Sequence, residues 1–342
     1  MGGCYTSYTP RFRSDCERDD YYAESDLGAA FRKFQRDGDR TGLIKHFNQS
    51  IRCDGAGFIG NLAKAAGVTS IDEIPKEFSE WEYEVKFDIR VDGKGKEPDI
   101  KAFLNAFDFP ATTSAHYLKD PVDHIAEGVN HFFGDGLEEK LVVIEKAGRK
   151  FLKKKGNVVP VTTGVPYEEI IVKRTEERYE ATMEAIFEEA RLVASEQGEY
   201  KGKIRKEKGD AFVLDLNDGR IYSFTINRSH LTRAGETKES HIQRQLELEY
   251  AGYIPKFPGF TKDAEEQIAA GMVDLAKFVW VLYNNAPIAN GWRMQLGITG
   301  ERKYDFVRTG KSEVLTPGNS NFLSLTEGTT KERKKAKVRV RR

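Results

Sequence analysis

The stretch that most restricts what this chain can fold into begins at Glu80 and reads EWEYEVKFDIRVDGKGK. Trp81, Tyr83, Val85, Phe87 and Ile89 alternate with Glu82, Glu84, Lys86 and Asp88. Period two over that length predicts a β-strand with one face on an apolar core. The opposite face carries two carboxylates and then an ammonium. Such a face is either a solvated outer wall or the wall of a binding site.

A second strand has the same habit. QLELEYAG places Glu247 and Glu249 on one face and Leu246, Leu248 and Tyr250 on the other. Like charges on neighbouring strands repel. A divalent cation between them removes the repulsion, and hard carboxylate oxygens suit Mg2+ or Mn2+. Other strands supply cations. FLKKKG puts Lys153 and Lys155 on one face, IVKRTEE puts Arg174 and Glu176 on one face, and KGKIRKEK alternates Lys201, Lys203 and Arg205. Rows of cations are costly on an interior face unless a polyanion fills it. A barrel lined by Lys and Arg in one part and Glu in another is a site for a metal–polyphosphate chelate.

The chain divides into three parts. Residues 1–75 hold an irregular polar arm over 1–25 and a small helical region, with Ser25 or Asp26 as a cap and a helix in AGFIGNLAKAAGV. Residues 76–308 are dominated by strands with helices between them. EPDIKAFLNAF reads as a helix, EKLVVIEK and RKFLKKKGN as a hairpin, and TKDAEEQIAAGMVDLAKFVWVLYN as a long helix. YEATMEAIFEEARLVASEQG, from Tyr179 to Gly198, is the clearest amphipathic helix, and RKYDFVR reads as a last short strand. Residues 309–342 form an extension ending in TTKERKKAKVRVRR, a basic tail that is either a solvated run or a holder of RNA or an acidic partner. Residues 1–75 carry no chemical motif and point to packing or to contact within a larger assembly.

In this order EYEVK matches the ExExK signature of the CYTH superfamily, the triphosphate tunnel metalloenzymes. LELEY resembles the later ExE strand of that family, KIR its Lys-x-Arg strand, FLKKKG its phosphate-binding lysine strand, and RKYDF its terminal Lys-Tyr element. The resemblance spans roughly residues 80–308. It implies an α+β fold: an antiparallel eight-stranded β tunnel with flanking helices. It implies metal-dependent hydrolysis of a triphosphate, whether inorganic tripolyphosphate or a nucleoside or RNA 5′-triphosphate. The same fold also serves class IV-type adenylyl cyclases, and non-catalytic phosphate binding or scaffolding is the remaining alternative. Carried over residue by residue, Glu82, Glu84 and Lys86 are catalytic. Lys140, Lys153, Lys155, Arg174, Lys203, Arg205 and Lys303 bind substrate, and Glu82, Glu84, Glu176, Glu247 and Glu249 hold Mg2+ or Mn2+. One departure stands out: Val142 and Ile144 lie where the family carries an Arg-x-Arg pair, with Lys140 and Lys146 flanking them.

Composition excludes several classes. The 342 residues are 39% hydrophobic and 32% charged, and 54 basic residues balance 54 acidic ones, so the whole molecule does not attract polyanions. No apolar run reaches the length of a membrane span, and the N-terminus lacks the apolar core of a secretory signal. MGGCYT fits the short acylation pattern at Gly2. Three cysteines, Cys4, Cys16 and Cys53, form neither a disulfide framework nor a zinc pattern, which makes a reducing cytoplasm the simplest compartment. DGAGFIGNLAKAAG lacks the GK[ST] end of a phosphate loop. His116, His124 and His131 match no metal spacing, and Trp280 and Trp292 read as packing residues.

Overall fold

A computed structural model describes residues 15–52, 57–69, 71–112, 114–121, 125–133, 140–146, 149–180, 200–261, 265–300 and 303–310. The amphipathic helix expected up to Gly198 falls almost wholly on 181–199, and the basic tail on 311–342; both lie outside the described residues.

The strands are β1 (Trp81–Asp92), β2 (Tyr117–Lys119), β3 (Ile125–Phe133), β4 (Lys140–Lys146), β5 (Arg149–Lys155), β6 (Val172–Glu180), β7 (Tyr200–Asp215), β8 (Arg220–Arg233), β9 (His241–Tyr253) and β10 (Arg293–Ile298). All belong to one antiparallel sheet. Its order runs β1-β6-β5-β4-β3-β7-β8-β9, and β9 then pairs back onto β1. Eight strands therefore close into a ring. β1 makes the seam. One of its edges bonds β9 over Glu84–Asp88; the other bonds β6 over Trp81–Glu84 and β10 over Phe87–Asp92. Closure leaves two sets of side chains, one in the lumen and one outside.

The outer apolar row of β1 (Tyr83, Val85, Phe87, Ile89) is buried with those of β8, β9 and β10. Over it lies α5 (Glu265–Tyr283), which contributes Ile268, Met272, Val273, Val279 and Trp280. Glu265 and Glu266 in its first turn favour the positive end of the helix dipole. A shorter helix, α4 (Ile100–Ala106), packs Phe103 and Leu104 into the same core. Asp99 caps it by accepting from the Ala102 N–H at 2.9 Å.

Three helices precede the ring: α1 (Asp15–Asp37), α2 (Thr41–Arg52) and α3 (Phe58–Ala65). The irregular arm expected over 1–25 is corrected from Asp15 onward. Ser25 and Asp26 lie inside α1 rather than at its cap. The segment before Ser25 has no apolar period of its own, but a helix anchored by Leu27, Phe31 and Phe34 extends at the small cost of one residue fixed per hydrogen bond. These side chains join Phe47, Phe58 and Leu62 in a second core against Leu214, Leu216, Ile221 and Phe257, around the β7–β8 turn. Gly219 closes that turn with φ 80°; a Cβ there would meet the Phe257 ring at 2.3 Å.

Asp215, buried at the same turn, accepts from the Asn217 N–H at 2.8 Å. Burial, reinforced by Asp218, pushes its carboxyl up to about 7. The folded protein thus keeps this proton up to about pH 7, whereas an unfolded chain loses it near 4. The folded state binds more protons in that window, so this group's contribution to stability falls as pH rises through it. Asp215→Asn keeps the acceptor and removes the ionisation. Its melting temperature should gain on the wild type between pH 5 and pH 8; a constant difference across that range would refute the assignment.

Candidate active site

The charged row of β1 is an inner wall. Glu82, Glu84, Lys86 and Asp88 are 8%, 4%, 3% and 4% exposed, although both faces of the strand carry large side chains. Opposite them on β9, Glu84 pairs with Glu249 and Lys86 with Glu247; on β6, Glu82 pairs with Arg174. Because side chains alternate across a strand, these partners share the lumen.

Ion pairs tie the lumen together. The Arg174 guanidinium donates through Nε to Glu82 Oε2 at 2.6 Å and through Nη2 to Glu84 Oε2 at 3.0 Å. Lys155 donates to both Glu82 oxygens at 3.2 and 3.3 Å. Lys153 and Lys155 reach Glu176 Oε2 at 2.5 and 2.9 Å, and Lys86 lies 2.9 Å from Glu84 Oε2. Burial opposes ionisation of Glu82, but Lys155, Arg174 and Lys153 outweigh it and hold the carboxyl well below its usual range. Burial lowers the Lys86 ammonium despite the Glu84 charge.

Farther along the lumen, Lys303 donates to Glu247 Oε1, and Lys206 lies 3.8 Å from Glu247 Oε2. Burial again opposes ionisation of Glu247; Lys303, Lys206 and Lys86 hold its carboxyl well down. Glu249 behaves in the opposite way. Burial, then the neighbouring charges of Glu82 and Glu84, push it up to about 7. The lumen thus has a carboxylate pole, Glu82–Glu84–Glu249, beside a cationic one.

Two substrate-binding expectations fail on β7. Lys203 is exposed, and Arg205 projects outward to Glu239 Oε1 at 2.7 Å and Glu207 Oε1 at 3.0 Å. The inward side chains are those of opposite parity. Lys206 and Lys208 face Ser229 and Asn227 on β8, and Lys208 pairs with Asp210 at 2.8 Å. The segment KGKIRKEK is charged on both faces, so its alternation alone does not say which row points in. Lys140 pairs with Lys155 in the register; its side chain, like that of Lys146, lies outside the described residues.

The far end of the lumen is apolar. Phe132, Ile204 and Leu231 from the strands meet Phe306 and Val307 of α6 (Lys303–Thr309), with Ile144 packed against them. The strand expected at RKYDFVR is therefore a helix, corrected because its apolar contacts, Phe306 and Val307, are adjacent rather than alternate. Ile144 belongs to this cluster, so part of the departure at the Arg-x-Arg position has a packing role.

Among the described residues, no three His, Cys, Asp or Glu side chains converge in a ready metal geometry. The donor chemistry still suits a hard cation. Burial first, and then the charges of Glu82 and Glu84, raise Glu249, and a divalent ion among the three carboxylates would relieve the second of these.

No family model and no curated protein matches the chain. Among solved structures, it is similar to a conserved hypothetical protein from Pyrococcus furiosus at 14% identity and TM-score 0.33, covering 58% of this chain and 90% of that one. A Pyrococcus horikoshii protein gives 16% identity and TM-score 0.31, covering 56% and 88%. The Pct1 RNA triphosphatase of S. pombe gives 12% identity and TM-score 0.29, covering 60% and 85%. Likeness at this level carries no weight for chemistry; the tunnel rests on its own strand pairing. No helix among the described residues is long and apolar enough to cross a membrane.

Proposed function

We propose that this chain hydrolyses a triphosphate inside the tunnel with the help of a divalent cation. One observation carries the reading: a closed lumen buries Lys86 and Arg174 among Glu82 and Glu84 at exposures of 8% or less. Burying charge at this density is expensive, and a fold gains little stability from it over apolar packing. A site for a charged ligand explains the expense.

Lys153, Lys155 and Arg174 would bind phosphate oxygens, exchanging their carboxylate partners for the substrate's charge. Lys206 and Lys303 would do the same from the other side. Glu82, Glu84 and Glu249 would hold Mg2+ or Mn2+, with Glu176 and Glu247 next to them. When bound, such an ion lowers the pKa of a coordinated water and neutralises phosphate charge. The fixed cations then stabilise charge developing on the transferred phosphoryl group. Because the wall's cations are already matched by carboxylates, a bare polyanion would bring unbalanced charge inside, which favours a metal-bound substrate.

The test is phosphate release from tripolyphosphate, ATP and 5′-triphosphate RNA, with Mg2+ or Mn2+ and again in chelator. Release that stops in chelator is the expected outcome. Full turnover in chelator would remove the metal's role, a cyclic nucleotide product would make the chain a cyclase, and tight binding without turnover would make it a binding protein. A mutant pair tests the lumen. Lys206→Met should weaken Mn2+–tripolyphosphate binding tenfold or more, and Arg205→Met, on the outer face, less than twofold. Equal losses would refute the assignment of faces.

A further inference from the structure

Along β8 and β9 the lumen changes character in register steps. Ser223 faces Glu249, Thr225 faces Glu247, Asn227 faces Gln245, Ser229 faces Gln243, and Leu231 faces His241. On these two strands charged side chains give way to neutral polar ones and then to apolar ones, while the flanking strands keep charge at the same levels: Asp88 of β1 faces Gln245, and Lys208 and Lys206 of β7 face Asn227 and Ser229. Asn227, Ser229, Gln243 and Gln245 are each 1% exposed.

Asn227 and Gln245 are the unusual members. Both the nitrogen and the oxygen of each amide lack a hydrogen-bond partner among the described residues. Exchanging O and N by amide inversion does not repair this, since neither atom of either group is paired. A buried polar group without a partner costs about 1–3 kcal/mol. Leucine and methionine would fill similar space without that cost, so packing does not account for the pair.

What these amides can bind follows from their chemistry. Each offers a donor and an acceptor side by side, the pairing that the edge of a nucleobase presents in return. They lie one lumen step, about 7 Å, beyond the Glu247–Lys86 level. On their other side the lumen is closed by the packed apolar cluster of Ile204, Leu231 and Phe306. The amides thus lie between the charged levels that would take the phosphates and the apolar end, on the side where a nucleoside attached to those phosphates would extend.

We infer that Asn227 and Gln245 form a nucleoside-reading subsite, so that the substrate is a nucleoside 5′-triphosphate, free or at an RNA end, rather than inorganic tripolyphosphate. This rests on the triphosphate reading above. The test compares ATP with methyl triphosphate, which carries the same triphosphate ester but no base or ribose, each with Mn2+. Wild-type protein should bind ATP at least tenfold more tightly. Asn227→Leu and Gln245→Met should each weaken ATP binding at least tenfold and change methyl triphosphate binding less than threefold. A ten-nucleotide 5′-triphosphate RNA, measured alongside, separates a chain end from a free nucleotide. If the wild type binds ATP and methyl triphosphate alike, the subsite is refuted even should both variants misfold. Equal losses for both probes in a folded variant refute it too. If the wild type binds neither probe nor tripolyphosphate, the triphosphate reading fails and the subsite falls with it.

Discussion

Arg174→Met should destabilise the protein by about 3–5 kcal/mol, the usual effect of removing one partner from a buried ion pair. Arg174 is 3% exposed and holds Glu82 and Glu84 at once. Without it, two carboxylates remain buried with Lys155, Lys153 and Lys86 as their nearest counter-charges. At about 2–4 °C per kcal/mol, the melting temperature should fall by roughly 6–20 °C. Adding Glu82→Gln and Glu84→Gln to Arg174→Met should recover part of the loss, because neutral amides need no counter-charge. The same two substitutions in the wild-type background should destabilise, since they strand Arg174. Spacing alone suggests the opposite sign: on a face with two successive carboxylates, removing them relieves repulsion. A melting temperature within 2 °C of wild type for Arg174→Met would show that the pairs contribute nothing.

Phe306→Ala should release α6 from the apolar end of the tunnel. Phe306 is 1% exposed, and truncation of a buried phenylalanine typically costs about 3–5 kcal/mol. A helix of seven residues has little stability of its own, so the loss should appear as local opening rather than global unfolding. Amide exchange over 303–309 should accelerate by roughly two to four orders of magnitude, at about tenfold per 1.4 kcal/mol. Exchange in β1 should hardly change. Equal acceleration in both would mean that α6 and the ring unfold as one unit.

Much of this architecture can be read from alternation. β1 and β9 each set apolar side chains against charged ones without ambiguity, so their faces follow from the residues alone, and the acidic lumen pairs Glu82–Glu84 and Glu247–Glu249 with them. Lys153 and Lys155, like Arg174 and Glu176, share a face by parity, but β5 and β6 also carry Lys154, Lys173 and Glu177 on the opposite faces, so only their pairing in the ring shows which row points inward. β7 fails the method because charge occupies both of its faces near Lys203; only its partners on β8 decide that Lys206 points inward. β10 escapes notice because RMQLGI is short, and its place beside β1 depends on a strand two hundred residues earlier. The neutral step at Asn227 and Gln245 was visible as the series Gln243, Gln245, Glu247, Glu249. Alternation says that these residues share a face, but not that the face is closed off from water.

The β1–β9 seam also sets a timetable. Glu84 leaves the ribosome about 165 residues before Glu249, its neighbour across the seam. At roughly 5–20 residues per second, that is about 8–30 s of synthesis. During that interval Glu82, Glu84 and Lys86 belong to a strand whose β9 edge has no partner and whose charges are still hydrated. The expensive step, stripping water from the inner wall, is deferred until the last part of the ring arrives. A nascent chain stalled before β9 would therefore hold an open, hydrated sheet, and the site would come into being in a single late event rather than growing strand by strand.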